Sequence, residues 1–291
     1  MKHRNTIREV LFGASRFFEE KGIRSAQHNA EVLVQHVLGM DKMRMVLSLG
    51  EAFPEEKRAE FEALMRRRGE HEPLQYILGV QEFYGREFAV TPAVLIPRPE
   101  TELLVEHVLK QRPLFGDAPV IADIGTGSGA IAVTLACEWP GARLVAIDLS
   151  PEALAVARRN GERLGVAGQI HFLQGDLMYP LLERGLRPDI VVSNPPYIPS
   201  ADCEELDAEV RDHEPRLALD GGEDGLNPYR TISAALPRLW PAEGTAFVAY
   251  EVGIHQDHDV ENLIRAAVPG AETGILPDLQ GIGRVIWGRR V

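Results

Sequence analysis

Val120-Ile121-Ala122-Asp123-Ile124-Gly125-Thr126-Gly127-Ser128-Gly129-Ala130 decides the fold of this chain. The short apolar run 120–124 reads as a strand, and the apolar segment from Ala130 reads as a helix. Glycines between a strand and a helix permit a sharp turn and let a ligand approach the backbone closely. The alternation recurs downstream. Residues 143–148 form a second apolar run, followed by the helix start Ser150-Pro151-Glu152; residues 169–173, 189–193 and 245–250 are a third, fourth and fifth. Strands alternating with helices predict an α/β fold with a parallel, doubly wound sheet. Its ligands bind beyond the carboxyl ends of the strands.

The glycine spacing narrows the ligand. Dinucleotide sites use G-x-G-x-x-G, where a helix start meets a pyrophosphate. Here the pattern is G-x-G-x-G, preceded by Asp123. An acid is poor company for a pyrophosphate and good company for a positive amine. Asp148 ends the second run, 19 residues after Gly129, where a carboxylate accepts ribose hydroxyls. Asp176 follows the third run, placed to meet an adenine amino group. Three acids and a glycine loop describe a cationic, adenosine-bearing ligand, S-adenosylmethionine. An NAD enzyme is the alternative, and a tight turn with solvent-facing acids is the plain reading.

The fourth run ends in Ser193 and continues Asn194-Pro195-Pro196-Tyr197. Asn-Pro marks turns, yet this turn falls at the sheet edge that carries the glycine loop. A planar NH2 group is a weak nucleophile because its lone pair is delocalised. In-line methyl transfer needs that pair aimed at the methyl carbon, so a site must hold both N–H bonds and the molecular plane. The Asn194 side-chain carbonyl can accept one N–H and the Pro195 backbone carbonyl the other. Neither proline offers a competing donor. Tyr197 is expected to supply a flat covering face. Acceptors that tighten as the N–H bonds become acidic bind the transition state better than the ground state.

The part upstream of residue 81 reads as helical. Ile7, Val10, Leu11, Ala14, Phe17 and Phe18 share one helix face, and Ala30, Leu33, Val34, Val37 and Leu38 another. Gly22 and Gly39 are expected to end these helices in left-handed conformations. Ser25 and Asp41 are expected to cap the helices that follow them. Pro54 suits the first turn of a fourth helix, which Gly69 stops. Its Arg66-Arg67-Arg68 run reads as a solvated helix end, with a partner-binding patch as the sharper alternative. Residues 81–97 carry Phe83, Tyr84, Phe88, Val90 and Val94 around Gly85, and read as a hairpin.

The 291 residues carry a net charge of −12. Residues 1–80 are near neutral at +1, and residues 81–291 hold −13. That balance argues against a protein built to grip phosphate backbones. No apolar run reaches membrane-spanning length. The basic start Met1-Lys2-His3-Arg4-Asn5 leads into an amphipathic stretch and not a signal-peptide core. Cys137 and Cys203, far apart, suit a reducing cytoplasm and no zinc cluster. His255 and His258 read as a surface pair without a third metal ligand, and Cys137 as core. The acid-rich stretch 203–209 is either a substrate loop or solvated. Glu251 either shapes the pocket or pairs with an arginine.

Taken together, these motifs resemble the PrmC/HemK family of bacterial release factor glutamine methyltransferases. The likeness rests on the glycine loop and the Asn-Pro-Pro-Tyr segment. It extends to residues 96–102 (Ile-Pro-Arg-Pro-Glu-Thr-Glu), 214–219 (Glu-Pro-Arg-Leu-Ala-Leu), 221–226, 251–253 and 278–284. It is weakest over residues 1–70. The resemblance implies a Rossmann-like, seven-stranded methyltransferase domain over 98–291, a helical substrate-recognition domain over 1–80 and a β-hairpin linker over 81–97. It implies that Gly125, Thr126, Gly127, Ser128, Gly129, Asp148, Asp176, Leu177 and Asn194 contact S-adenosylmethionine. It also implies that Asn194, Pro195, Pro196 and Tyr197 hold the glutamine of the Gly-Gly-Gln loop of peptide chain release factors, methylated on its side-chain amide nitrogen. The expected partner is a release factor docked on the helical domain, with no direct nucleic acid, membrane or metal, and a monomeric enzyme. A DNA or RNA amino-methyltransferase stacking a base on Tyr197 and a non-catalytic binding module are the rival readings.

Overall fold

The structure is a computed structural model that describes residues 5–240 and 244–291; the basic stretch Met1 to Arg4 lies outside them. In chain order its helices are α1 (Ile7–Glu20), α2 (Ala26–Leu38), α3 (Lys42–Leu47), α4 (Glu55–Gly69), α5 (Leu74–Leu78), α6 (Thr101–Lys110), α7 (Arg112–Phe115), α8 (Ala130–Glu138), α9 (Pro151–Arg163), α10 (Tyr179–Arg184), α11 (Ala208–Arg211), α12 (Asn227–Leu239) and α13 (Asp257–Ala267). The strands are β1 (Val80–Phe83), β2 (Arg86–Ala89), β3 (Val120–Ile124), β4 (Arg143–Asp148), β5 (Ile170–Gln174), β6 (Ile190–Ser193), β7 (Ala246–Glu251), β8 (Glu272–Pro277) and β9 (Gly283–Arg290). The chain divides into two compact units, Met1–Gly79 with Ala208–His213, and Val80–Asp207 with Glu214–Val291. Among the described residues no helix is long and apolar enough to cross a membrane.

The first unit is a helical bundle. Ile7, Val10, Ala14 and Phe18 of α1 and Ala30, Leu33, Val34 and Val37 of α2 form its core with Met45, Phe53 and Phe61. Gly22 and Gly39 take positive φ, and the Asp41 side chain accepts from Arg44 N at 2.8 Å. Ser25 departs from the expected cap. It is itself left-handed and makes no side-chain cap. The Asn29 side chain instead donates to the Arg24 and Ser25 carbonyls at 3.0 and 3.1 Å. The arginine run also needs correcting. Arg66 and Arg67 are exposed, but Arg68 is buried. Its guanidinium reaches Asn29 Oδ1 at 2.7 Å, the Glu72 carbonyl at 2.9 Å and Glu209 Oε2 at 2.7 Å. Glu209, from the acid-rich stretch, is thus an ion-pair partner.

In the second unit β1 and β2 pair antiparallel through a turn at Tyr84 and Gly85. Both turn residues have positive φ, 51° and 67°, which matches the twist of a two-residue hairpin. Glu102 accepts from Tyr84 N at 2.7 Å and fixes the turn to α6.

The seven-stranded sheet has the order β5-β4-β3-β6-β7-β9-β8. β5 through β7 run parallel, and β9 and β8 close the edge antiparallel. Side chains alternate between two cores as a strand's period of two requires. Ile121, Ile190, Val192, Phe247 and Ala249 face one core, shared with α6, α8 and the hairpin. Ala122, Ile124, Val191, Ala246, Val248 and Tyr250 face the other, under α12 and α13. Connections leave β3 toward β4 on one side and reach β6 on the other, so the crevice at the ends of β3 and β6 is the switch point of the sheet.

Candidate active site

β3 and β6 are parallel neighbours with Ile124 opposite Ser193. Ser193 Oγ donates to the Ile124 carbonyl at 2.6 Å. The glycine loop and Asn194 therefore leave the sheet side by side. Beyond them opens a cavity of about 400 Å³, in the range of small-molecule sites.

The loop is held from several directions. Gly125 N and Thr126 N both donate to the Ile147 carbonyl at 2.9 Å. Gly125 and Gly127 have φ of 72° and 55°, and nothing lies within 4 Å of where their Cβ atoms would be. Together with Thr126 and Ser128 they line the cavity. Gly129 does not. Its added Cβ would lie 3.0 Å from Ala157 Cβ and 3.2 Å from Val133 Cγ2, so its glycine serves the packing of α8 on α9. Behind the loop, the buried Asn160 of α9 donates to the Ser128 carbonyl at 2.8 Å and exchanges bonds with Ala89 N and O at 2.8 and 3.0 Å. It ties the loop to β2. Its sequence signal is a polar residue within the apolar stripe of α9.

The acids play unlike parts. Asp123 is fully buried and absent from the cavity wall, contrary to its expected role beside a ligand amine. Its Oδ2 accepts from Thr126 Oγ1 at 2.6 Å and Ala132 N at 3.1 Å, which braces the loop. Oδ1 has no partner among the described residues. Burial, against these hydrogen bonds, pushes its carboxyl up to about 7. Asp148 lines the cavity, half-buried. Its oxygens accept from Gly127 N at 2.8 Å and Ser150 N at 3.0 Å, and each keeps a further lone pair for a hydroxyl. Burial raises its pKa as well. Asp176 is exposed and lines the cavity with Leu177 and Leu149. Leu177 has φ of 43°, a conformation disfavoured for a side chain of this size and retained where a site demands it. Glu152 and Asp220 add further acid, and Arg98 is the basic residue of the wall.

In the Asn-Pro-Pro-Tyr segment, Asn194 and Pro196 line the cavity, and Pro195 and Tyr197 do not. Pro195 is buried. Tyr197 packs with the second core, close enough to Gly253 that a Cβ there would lie 3.0 Å from its ring. Its carbonyl accepts from Gln256 Nε2 at 2.9 Å. Burial, with Glu251 adding to it, pushes its phenol up to about 12. Its ring is a support of the loop and not part of the wall. Asn194 Nδ2 donates to Thr101 Oγ1 at 3.2 Å, and Oδ1 is buried with no partner among the described residues. Arg98, undefined by sequence, pairs with buried Glu214 at 2.5 Å and donates to the Ile96 carbonyl. That link joins two stretches, 93–98 and 215–220, which supply a further part of the wall, beside Thr101 and Pro228. Nothing in the spacing of Thr101 marked it.

The residues fit an adenosyl sulfonium ligand. Glycine positions without Cβ open onto the cavity, and acids of the wall outnumber its arginine.

Residues 9–79 match the PrmC N-terminal domain and residues 99–210 the Methyltransferase small domain. The catalytic domain of hMettl16 in complex with MAT2A 3'UTR hairpin 6 superposes with a TM-score of 0.55 at 14% identity, over 81% of this chain and 82% of that one. That is a likeness of fold. The chain is 43% identical to a release factor glutamine methyltransferase of Geobacter sulfurreducens, over 98% of this chain and 96% of that protein. It is 42% identical to another from Bacillus subtilis, over 97% and 96%. Likeness that close runs through the weakly patterned helical part as well as the sheet, and the chain belongs to the family of release factor glutamine methyltransferases.

Proposed function

We infer that this protein methylates the side-chain amide nitrogen (N5) of the glutamine in the Gly-Gly-Gln loop of peptide chain release factors, with S-adenosylmethionine as donor. The observation that carries the reading is Asn194 on the wall of an acid-lined cavity beside the glycine loop, its buried Oδ1 without a hydrogen-bond partner among the described residues. The relatives' shared name, release factor glutamine methyltransferase, supplies the substrate.

Gly125, Thr126, Gly127, Ser128, Asp148, Asp176 and Leu177 hold the cofactor, which when bound supplies an electrophilic methyl group. Asn194 Oδ1 accepts one N–H of the glutamine amide and the Pro195 carbonyl, from the buried residue between the wall residues Asn194 and Pro196, accepts the other once the loop closes on the substrate. Together they hold the amide plane and turn the nitrogen lone pair toward the methyl carbon. As the nitrogen loses conjugation its protons become more acidic, and both acceptors bind them more tightly. No base of shifted pKa is required before transfer; the surplus proton leaves afterwards. The near-neutral helical unit docks the release factor through protein surface. Exposed Met43, Val46 and Leu47 of α3 and Phe12 of α1 are apolar side chains offered there.

Labelled methyl transfer to a purified release factor, compared with the same factor carrying Gln→Ala in its loop, tests the reading. Label on the wild-type factor alone is the expected result. Label on both, or on neither, contradicts it.

A further inference from the structure

The glycines at 221, 225 and 253 have no part in the chemistry, yet all of them close on the Asn-Pro-Pro-Tyr loop. β6 and β7 are parallel, with Ser193 opposite Tyr250, so the loop 194–197 and the turn 252–256 leave the sheet side by side at its carboxyl edge. Gln256, just before α13, bridges them. Its Nε2 donates to the Tyr197 carbonyl at 2.9 Å, and its Oε1 accepts from Gly253 N at 3.0 Å.

Donor counting makes this bridge specific to a carboxamide. A backbone carbonyl only accepts and a backbone N–H only donates, so the bridging group needs one donor and one acceptor. A carboxylate of the same shape has two acceptors and would face the Tyr197 carbonyl without a proton. The three glycines leave room for the amide and for the backbone it holds. A Cβ at Gly225 would overlap the Tyr197 oxygen and lie 2.6 Å from Gln256 Nε2. One at Gly253 would lie 2.8 Å from Gln256 Oε1, and one at Gly221 would lie 2.8 Å from the Pro196 oxygen. Gly221 N also donates to the Ile198 carbonyl at 2.8 Å, and Ile198 N donates to the Leu219 carbonyl at 2.9 Å. The residue before Gln256, His255, has φ of 69°, a conformation disfavoured for a residue with a side chain and kept where the placement of its neighbour demands it.

We propose that Gln256 is a positioning residue of the methyl transfer, whose carboxamide clamps the Tyr197 carbonyl to the Gly253 N–H and so sets where the Asn-Pro-Pro-Tyr loop stands. The proposal rests on the reading of that loop given above. The backbone is held from Pro196 onward, which leaves Asn194 and Pro195 to close on the substrate from a fixed end. Neither Gln256 nor Tyr197 lines the cavity, so the clamp acts on the loop and not on the cofactor.

Gln256→Met keeps the length of the side chain and removes both hydrogen bonds. Gln256→Glu keeps the shape and the acceptor and removes the donor; at about pH 8 it is ionised. Both are compared with wild type and with Asn194→Ala. The readouts are kcat and KM on a purified release factor and S-adenosylmethionine affinity by calorimetry. Each Gln256 variant is expected to lower kcat by about 10- to 100-fold and to leave cofactor affinity unchanged, with Gln256→Glu losing at least as much as Gln256→Met although it fills the same space as the native residue. Wild-type kcat in either variant, a change confined to KM, or a cofactor affinity that falls in step with kcat would overturn the proposal. If Gln256→Met does not fold, Gln256→Glu decides alone, since an acid suits the start of a helix. Asn194→Ala separates the two readings. Activity retained there removes the role of Asn194 itself, whereas its loss alongside a fully active Gln256→Met removes the clamp only.

Discussion

An amide nitrogen attacks a methyl carbon poorly until its lone pair is drawn out of conjugation, and the acceptors that draw it out are single atoms. Asn194→Ala is therefore expected to lower kcat on release factor by about 100-fold or more, with cofactor affinity kept, as calorimetry beside steady-state kinetics will show. Asp123 invites a different test. Its carboxyl, pushed up to about 7 by burial, binds its proton more tightly in the folded than in the unfolded chain. The stability it contributes is full below the unfolded value and is lost as pH rises through the folded one. Asp123→Asn cannot ionise, so it is expected to gain stability relative to wild type between about pH 5 and about pH 8, by on the order of 3 kcal/mol or less. Denaturant unfolding across that range measures it, and a constant difference contradicts it. The sequence made Asp123 conspicuous but not its direction. A strand buried on both faces turns an interior aspartate inward, toward Thr126 and Ala132, and not out to a ligand.

At the scale of elements, the glycine loop is two devices in five residues. Gly125 and Gly127 clear space for a ligand, and Gly129 lets α8 close on α9. Gly129→Ala combines a contact of 3.0 Å with a φ of 80°. It is expected to destabilise the protein by about 1–3 kcal/mol, read as a lower denaturation midpoint. Asn160→Leu removes the bonds to Ser128 and Ala89 and leaves their backbone groups unpaired, so it is expected to cost about 2–3 kcal/mol and to weaken cofactor binding as the loop loosens. The five parallel strands were legible because strands covered on both faces are written as unbroken apolar runs. β8 was not, since its residues are half-buried or exposed throughout and it carries no alternating stripe. The arginine run misled for a related reason. Arg68 is buried by Asn29, 39 residues away, and Glu209, 141 away, and local pattern holds no trace of such partners.

For the whole molecule, the proposed docking of a release factor on a protein surface is in keeping with a charge of −12. Replacing exposed Met43 and Leu47 with glutamate is expected to raise KM for release factor about tenfold while leaving cofactor affinity and thermal stability unchanged. An unaltered KM would remove α3 from the docking surface. The corner where β3 and β6 end remains the centre of the account, and a crystal structure of the enzyme with S-adenosylhomocysteine and a Gly-Gly-Gln loop tests it most directly. The glutamine amide nitrogen is expected within hydrogen-bond reach of Asn194 Oδ1, its plane presented to the cofactor sulfur. A glutamine bound elsewhere in the cavity, or an Asn194 carboxamide turned with its nitrogen toward the substrate, would contradict it.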